Sequence, residues 1–117
     1  MRSNCIMFGW NRAVPGRESV SGQLFQEFVE YLTAQQRGGS IESFEVVLLE
    51  PRGARLNGFF LIRGGAEKLN AMIASDEWMR YQTKGMMNLQ DISLARGATG
   101  PLVGERMKMW MEAIPRG

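Results

Sequence analysis

The sequence predicts one α+β domain: a four-stranded antiparallel sheet backed by helices, in the order βαββαβ with an additional C-terminal helix. Three observations predict it. Apolar runs of strand length alternate with stretches in which apolar residues recur at helical spacing. Gly and Pro clusters separate the runs at short intervals. The 117 residues suffice for one hydrophobic core and not for two, so a single domain over 1–117 is expected, with a core over 4–96 and a terminal helix over 101–114.

Cys5 to Trp10, Cys-Ile-Met-Phe-Gly-Trp, is apolar at both alternating sets of positions and turns polar around Pro15-Gly16, as a buried strand followed by a loop does. Val20, Leu24, Phe25, Phe28, Val29 and Leu32 then repeat at helical spacing between polar residues, and Gly38-Gly39 closes the helix. Ile41 to Glu50 reads as a strand, Pro51-Arg52-Gly53 as a breaker, and Gly58 to Arg63 as the returning strand of a hairpin with a long connection. Ala66 to Met87 is helical, and Ser75-Asp76 is an N-cap signal inside it, so this helix is expected in two pieces. Leu89 to Arg96 alternates as a half-exposed strand, and Pro101 opens a last amphipathic helix through Val103, Met107, Trp110 and Ile114.

In this order, right-handed crossovers place the first and third strands in the centre of the sheet and the second at an edge. The central segments are apolar on both faces, yet the helices can cover only one. The edge segment Val46-Val47-Leu48-Leu49 is also apolar on both faces, which invites pairing with another chain. A second copy, sheet facing sheet across a two-fold axis, is the economical cover, so a homodimer is expected.

Composition narrows the function classes. There is no histidine, which removes the usual imidazole base, the usual haem ligand and the commonest zinc ligand together. Cys5 is alone, so no internal disulfide forms, and amid Ile6, Met7 and Phe8 it reads as a small buried hydrophobe. Eleven Arg and three Lys are scattered among twelve acids, giving a net charge of +2 without a basic track, so no nucleic-acid partner is expected. No run is long and apolar enough for a membrane span, and Met1-Arg2-Ser3-Asn4 leads into the first strand without a cleavage-site pattern. A cytoplasmic protein without a membrane partner is the expectation. Gly97, Gly100 and Gly104 do not have dinucleotide-binding spacing, and the nine methionines lack a His or second Cys to complete a copper site; no cofactor and no metal are expected.

The strand Gly58-Phe59-Phe60-Leu61-Ile62-Arg63-Gly64, the helix around Leu69 and the broken helix at Ser75-Asp76-Glu77-Trp78 resemble the dimeric α/β-barrel superfamily of ferredoxin-like domains over roughly residues 4–96. The resemblance implies a ferredoxin-like βαββαβ fold, pairing of two sheets into a barrel, and a cleft for a small molecule. Members include cofactor-free oxygenases, haem-degrading enzymes and lactone isomerases, so the layout selects no chemistry. The lack of histidine disfavours those that depend on one.

Candidate site residues follow from strand alternation. If Ile92 and Leu94 face the helices, Asp91 and Ser93 face the presumed cleft on the other side of the sheet, together with Glu45 and Arg63. A carboxylate beside an arginine in an apolar cavity could hold an anionic ligand or act as a base; the plainer alternative is an ion pair at a barrel rim. Asn11 leaves the first strand at a place where binding groups commonly sit, and Trp78 and Tyr81 could wall a cleft or simply pack the core. The expected function is a dimeric binder of a small apolar or anionic molecule, as a cofactor-independent oxygenase or isomerase-like enzyme. The alternatives are a non-catalytic structural or regulatory dimer and an RNA-binding domain. The last needs aromatics two apart on the third strand, whereas Phe59 and Phe60 are adjacent.

Overall fold

The computed structural model describes residues 2–116; Met1 and Gly117 lie outside them. The elements are β1 (Cys5–Trp10), α1 (Glu18–Arg37), β2 (Ser43–Leu48), β3 (Gly58–Arg63), α2 (Ala66–Ile73), α3 (Asp76–Asn88), β4 (Ser93–Gly97) and α4 (Pro101–Glu112). The sheet is four-stranded, with order β2-β3-β1-β4 and antiparallel neighbours throughout. β1 and β3 are central and β2 is an edge, as the apolar character of the segments implies. This α+β layout is compatible with a ferredoxin-like fold.

The expected break in the second helix is present. The Ser75 hydroxyl accepts a hydrogen bond from the Trp78 amide at 3.2 Å and starts α3 afresh after α2. Gly39, at φ +80°, ends α1 in the left-handed conformation that favours glycine.

Three boundaries differ from expectation. β2 spans Ser43–Leu48, shorter than Ile41 to Glu50, because Ile41 leaves the ladder to join the core. β4 begins at Ser93 and not at Leu89: Asp91 has φ +54°, which interrupts the extended backbone, and Leu89 makes an isolated bridge to Ala13. α4 ends at Glu112, two residues before Ile114.

Alternation divides the sheet cleanly. Ile6, Phe8, Trp10, Phe44, Val46, Phe60, Ile62 and Leu94 face the helices. There they pack with Phe28, Tyr31 and Leu32 of α1, Leu69 and Met72 of α2 and Trp78 of α3. Phe28 is the hub of an aromatic cluster, with ring centroids 4.9 Å from Phe60, 5.3 Å from Tyr81, 5.4 Å from Trp78 and 5.7 Å from Phe8.

The opposite face carries no helix of its own. Register places its side chains in rows across the strands: Ser43, Arg63, Cys5 and Gly97 at one end, then Glu45, Leu61, Met7 and Ala95, then Val47, Phe59, Gly9 and Ser93. The row continues beyond the strands with Asn57, Asn11 and Asp91, held by backbone bonds from the Asn57 amide to the Trp10 carbonyl and from the Asn11 amide to the Gln90 carbonyl, both 2.9 Å. In the middle rows Met7, Leu61, Val47 and Phe59 are apolar and half-buried, whereas Glu45, Ala95 and Ser93 at the sheet edges are exposed.

Candidate functional site

The candidates read from alternation, Glu45, Arg63, Asp91 and Ser93, do share a face, and Asn11, chosen for its place after the first strand, projects from the same open side of the sheet. They do not converge. Arg63 donates to Glu45 at 3.1 Å at one end, with both side chains substantially exposed at 37% and 53%. Asn11 donates to Asp91 at 2.9 Å at the other end and accepts from Asn57 at 2.6 Å. Six residues of β1 separate the two rows, roughly 20 Å of extended chain. Ser93 stands near the second group, across from Gly9.

Of the two aromatic candidates, Trp78 is a core residue, 0% exposed, with its indole N–H donating to Gln82 at 3.1 Å. Tyr81 lies one turn further along α3 and lines a cavity.

That cavity is on the helix side of the sheet. It has a volume of about 230 Å³ and is walled by the rings of Phe8, Trp10, Phe25, Phe28, Phe60 and Tyr81. Its origin lies in four small residues from three parts of the chain: Ala13 after β1, Ser21 and Gly22 on α1, and Gly85 on α3. Phe25 and Phe28 continue the α1 stripe inward, but one turn earlier the same stripe reads Ser21-Gly22, where the ring that would fill the space is missing. A Cβ added at Gly22 would meet nothing within 4 Å. The exposed Gly22 and half-buried Ser21 form the mouth.

The walls hold their shape through polar ties outside the cavity. The Asn88 carbonyl, at the end of α3, accepts from the Val14 amide at 2.9 Å and from the Ser21 hydroxyl at 3.0 Å. These bonds clamp the start of α1 to the end of α3 and to the segment after β1. Trp10 is placed by Gly58, its cross-strand partner: only the missing side chain lets the indole lie across β3.

No family model and no curated protein matches this chain. The site therefore has to be read from its own chemistry.

Among the described residues, no carboxylate, ammonium or guanidinium lines the cavity; the side chains with polar atoms in its lining are Ser21, whose hydroxyl is engaged with Asn88, Tyr81 and Trp10. Burial first, and then the carboxylates of Glu77, Glu27 and Glu30, hold the Tyr81 phenol above its ordinary value, so at neutral pH it is an uncharged hydroxyl able to donate or accept. Such a site can bind a flat apolar molecule by ring contacts. It has no base to abstract a proton at neutral pH and no cation to pair with an anion. Among the described residues, no group of three His, Cys, Asp or Glu side chains could hold a metal ion.

Alternation alone did not reveal this cavity, because its defining residues come from four elements far apart in the chain. The available signal was the pair Ser21-Gly22 on an otherwise bulky apolar stripe. A glycine inside a helix costs roughly 1 kcal/mol against alanine, so its presence there calls for a spatial reason.

Proposed function

We propose that the protein is a homodimeric, ferredoxin-like small-molecule-binding domain whose ligand is a neutral, planar compound of one or two rings. One observation carries this reading: the aromatic-walled cavity of about 230 Å³ between the sheet and helices α1 and α3. It exceeds the ~150 Å³ of an engineered apolar cavity that takes up benzene, and falls below the ~300–1,000 Å³ usual for drug-sized ligands. The lining favours an apolar ligand over an anionic one, with Tyr81 bonding to a hydroxyl or carbonyl on its rim.

The open sheet face then serves the dimer and not the ligand. Met7, Leu61, Phe59 and Val47 supply its apolar centre, and the Arg63–Glu45 pair and the Asn57–Asn11–Asp91 chain supply polar ends. A non-catalytic structural dimer is the competing reading; it leaves the cavity without a purpose.

Calorimetric titration with 2-naphthol, a two-ring probe with one hydroxyl, tests the ligand class. Saturable binding at one site per chain is expected, with loss of affinity in Tyr81→Phe. Equal affinity for a charged probe such as naphthalene sulfonate would overturn the neutral assignment, and no saturable binding of either would overturn the site.

A further inference from the structure

We infer that Gly85 sets the depth of the aromatic cavity and so selects a fused two-ring ligand over a single ring; this rests on the reading of that cavity as the ligand site. Trp78, Tyr81 and Gly85 of α3 and Leu89 at its C-cap follow one another at three- and four-residue spacing, along one face. Three of the four are large, and at the third position the side chain is missing. The α1 stripe breaks in the same way at Ser21-Gly22, one turn before Phe25.

The two breaks face each other. The Ser21 hydroxyl donates to the Asn88 carbonyl at 3.0 Å, and the next amide along, that of Leu89, donates to the Gly85 carbonyl at 2.8 Å. Both glycines line the cavity. Gly22 is exposed at the mouth, whereas Gly85 is buried and bounds the cavity on its inner side.

A glycine within a helix commonly answers a neighbour that comes too close for a side chain, or a backbone with positive φ. Neither reason applies to Gly85. Its φ is not positive, and an added Cβ would meet only the Ile92 side chain, at 3.8 and 3.9 Å, which is ordinary van der Waals contact. A buried position in the middle of α3 therefore carries the residue that helix propensity favours least after proline, with room for a methyl group. What the missing side chain supplies is the space.

That space decides the number of rings. At about 230 Å³ the cavity is roughly half as large again as the ~150 Å³ apolar cavity that takes up benzene. A single ring leaves part of the lining without contacts, and a void forfeits the dispersion energy of the atoms around it. A second fused ring reaching the Gly85 side restores those contacts.

Amide chemical-shift titrations of the full chain with phenol and with 2-naphthol, beside Gly85→Ala, test this. The parent is expected to bind 2-naphthol at least about tenfold more tightly than phenol, and Gly85→Ala to lose about tenfold for 2-naphthol while binding phenol as the parent does, the scale of one methyl group in an apolar pocket. Gly104→Ala, on α4 with nothing within 4 Å of the added Cβ, should leave both affinities unchanged. The urea midpoint of Gly85→Ala should not fall below that of the parent, because alanine is the better helix residue. A lower midpoint would show that Gly85 answers a packing need and would overturn its role in selection. Equal losses for the two probes, or no loss for either, would overturn it as well, and 2-naphthol binding by the parent would still leave the cavity standing as a site. Equal parent affinities for phenol and 2-naphthol would overturn the two-ring preference. A parent that binds neither probe overturns the cavity as the ligand site, and the role of Gly85 with it.

Discussion

The indole of Trp10 lies across Gly58, its partner in the β1–β3 ladder, so closely that a Cβ at Gly58 would stand 2.6 Å from the ring. That ring also walls the ligand cavity. Gly58→Ala must therefore displace either the indole or β3, and overpacking of this kind costs about 1–3 kcal/mol. Urea denaturation should show that loss, and the Trp10→Leu/Gly58→Ala double variant should recover part of it.

Gly22 offers the converse case, since open space surrounds its missing side chain. Gly22→Ala should stabilise α1 by about 0.5–1 kcal/mol through helix propensity alone. Gly22→Phe places a ring at the cavity mouth and should abolish 2-naphthol binding with little change in denaturation midpoint. A stable Gly22→Phe protein that binds as the parent does would show that the ligand enters elsewhere.

At alkaline pH the protein should lose stability. Burial raises Tyr31, Tyr81 and Cys5 above their ordinary values of 10.0, 10.0 and 9.0, so the folded state keeps protons that the unfolded chain releases. The sign follows: with more protons on the native state, stability is fully present below the unfolded values and falls as pH rises through the folded ones. Denaturation midpoints should be flat from neutral to about pH 9 on this account and then decline, and Tyr31→Phe/Tyr81→Phe should flatten the decline. An unchanged slope in that double variant would refute the assignment to the tyrosines.

Asp91 combines a left-handed backbone with a role as terminal acceptor of the Asn57–Asn11–Asp91 chain. Asp91→Ala loses both the tolerance for positive φ and the acceptor, and should destabilise by about 1–3 kcal/mol. Asp91→Asn keeps a carbonyl oxygen and a residue type at ease in that conformation, so most of the stability should return. Equal thermal midpoints for Asp91→Ala and the parent would contradict this.

The parts of the fold that depend on local pattern were legible in the sequence. The break at Ser75, the central placing of β1 and β3, and the common face of Glu45, Arg63, Asp91 and Ser93 all follow from periodicity and capping. Alternation reports which face a residue occupies but not which row, so it could not show that Arg63 and Asp91 stand at opposite ends of the sheet. Trp78 and Tyr81 share a helix face by spacing, and tertiary packing alone makes one a sealed core residue and the other a cavity wall. The stripe on α4 was equally legible, whereas the attachment of that helix, exposed on nearly every side, runs through Asn4, Arg2 and Thr99, which no helical period connects to it.

The most direct test of the ligand assignment is to locate bound 2-naphthol by intermolecular nuclear Overhauser contacts in the isotope-labelled protein. Contacts to the side chains of Phe25, Phe60 and Tyr81, and none to Met7 or Leu61, are expected. Contacts to Met7 and Leu61 would place the ligand on the open sheet face and contradict the helix-side cavity as the functional site.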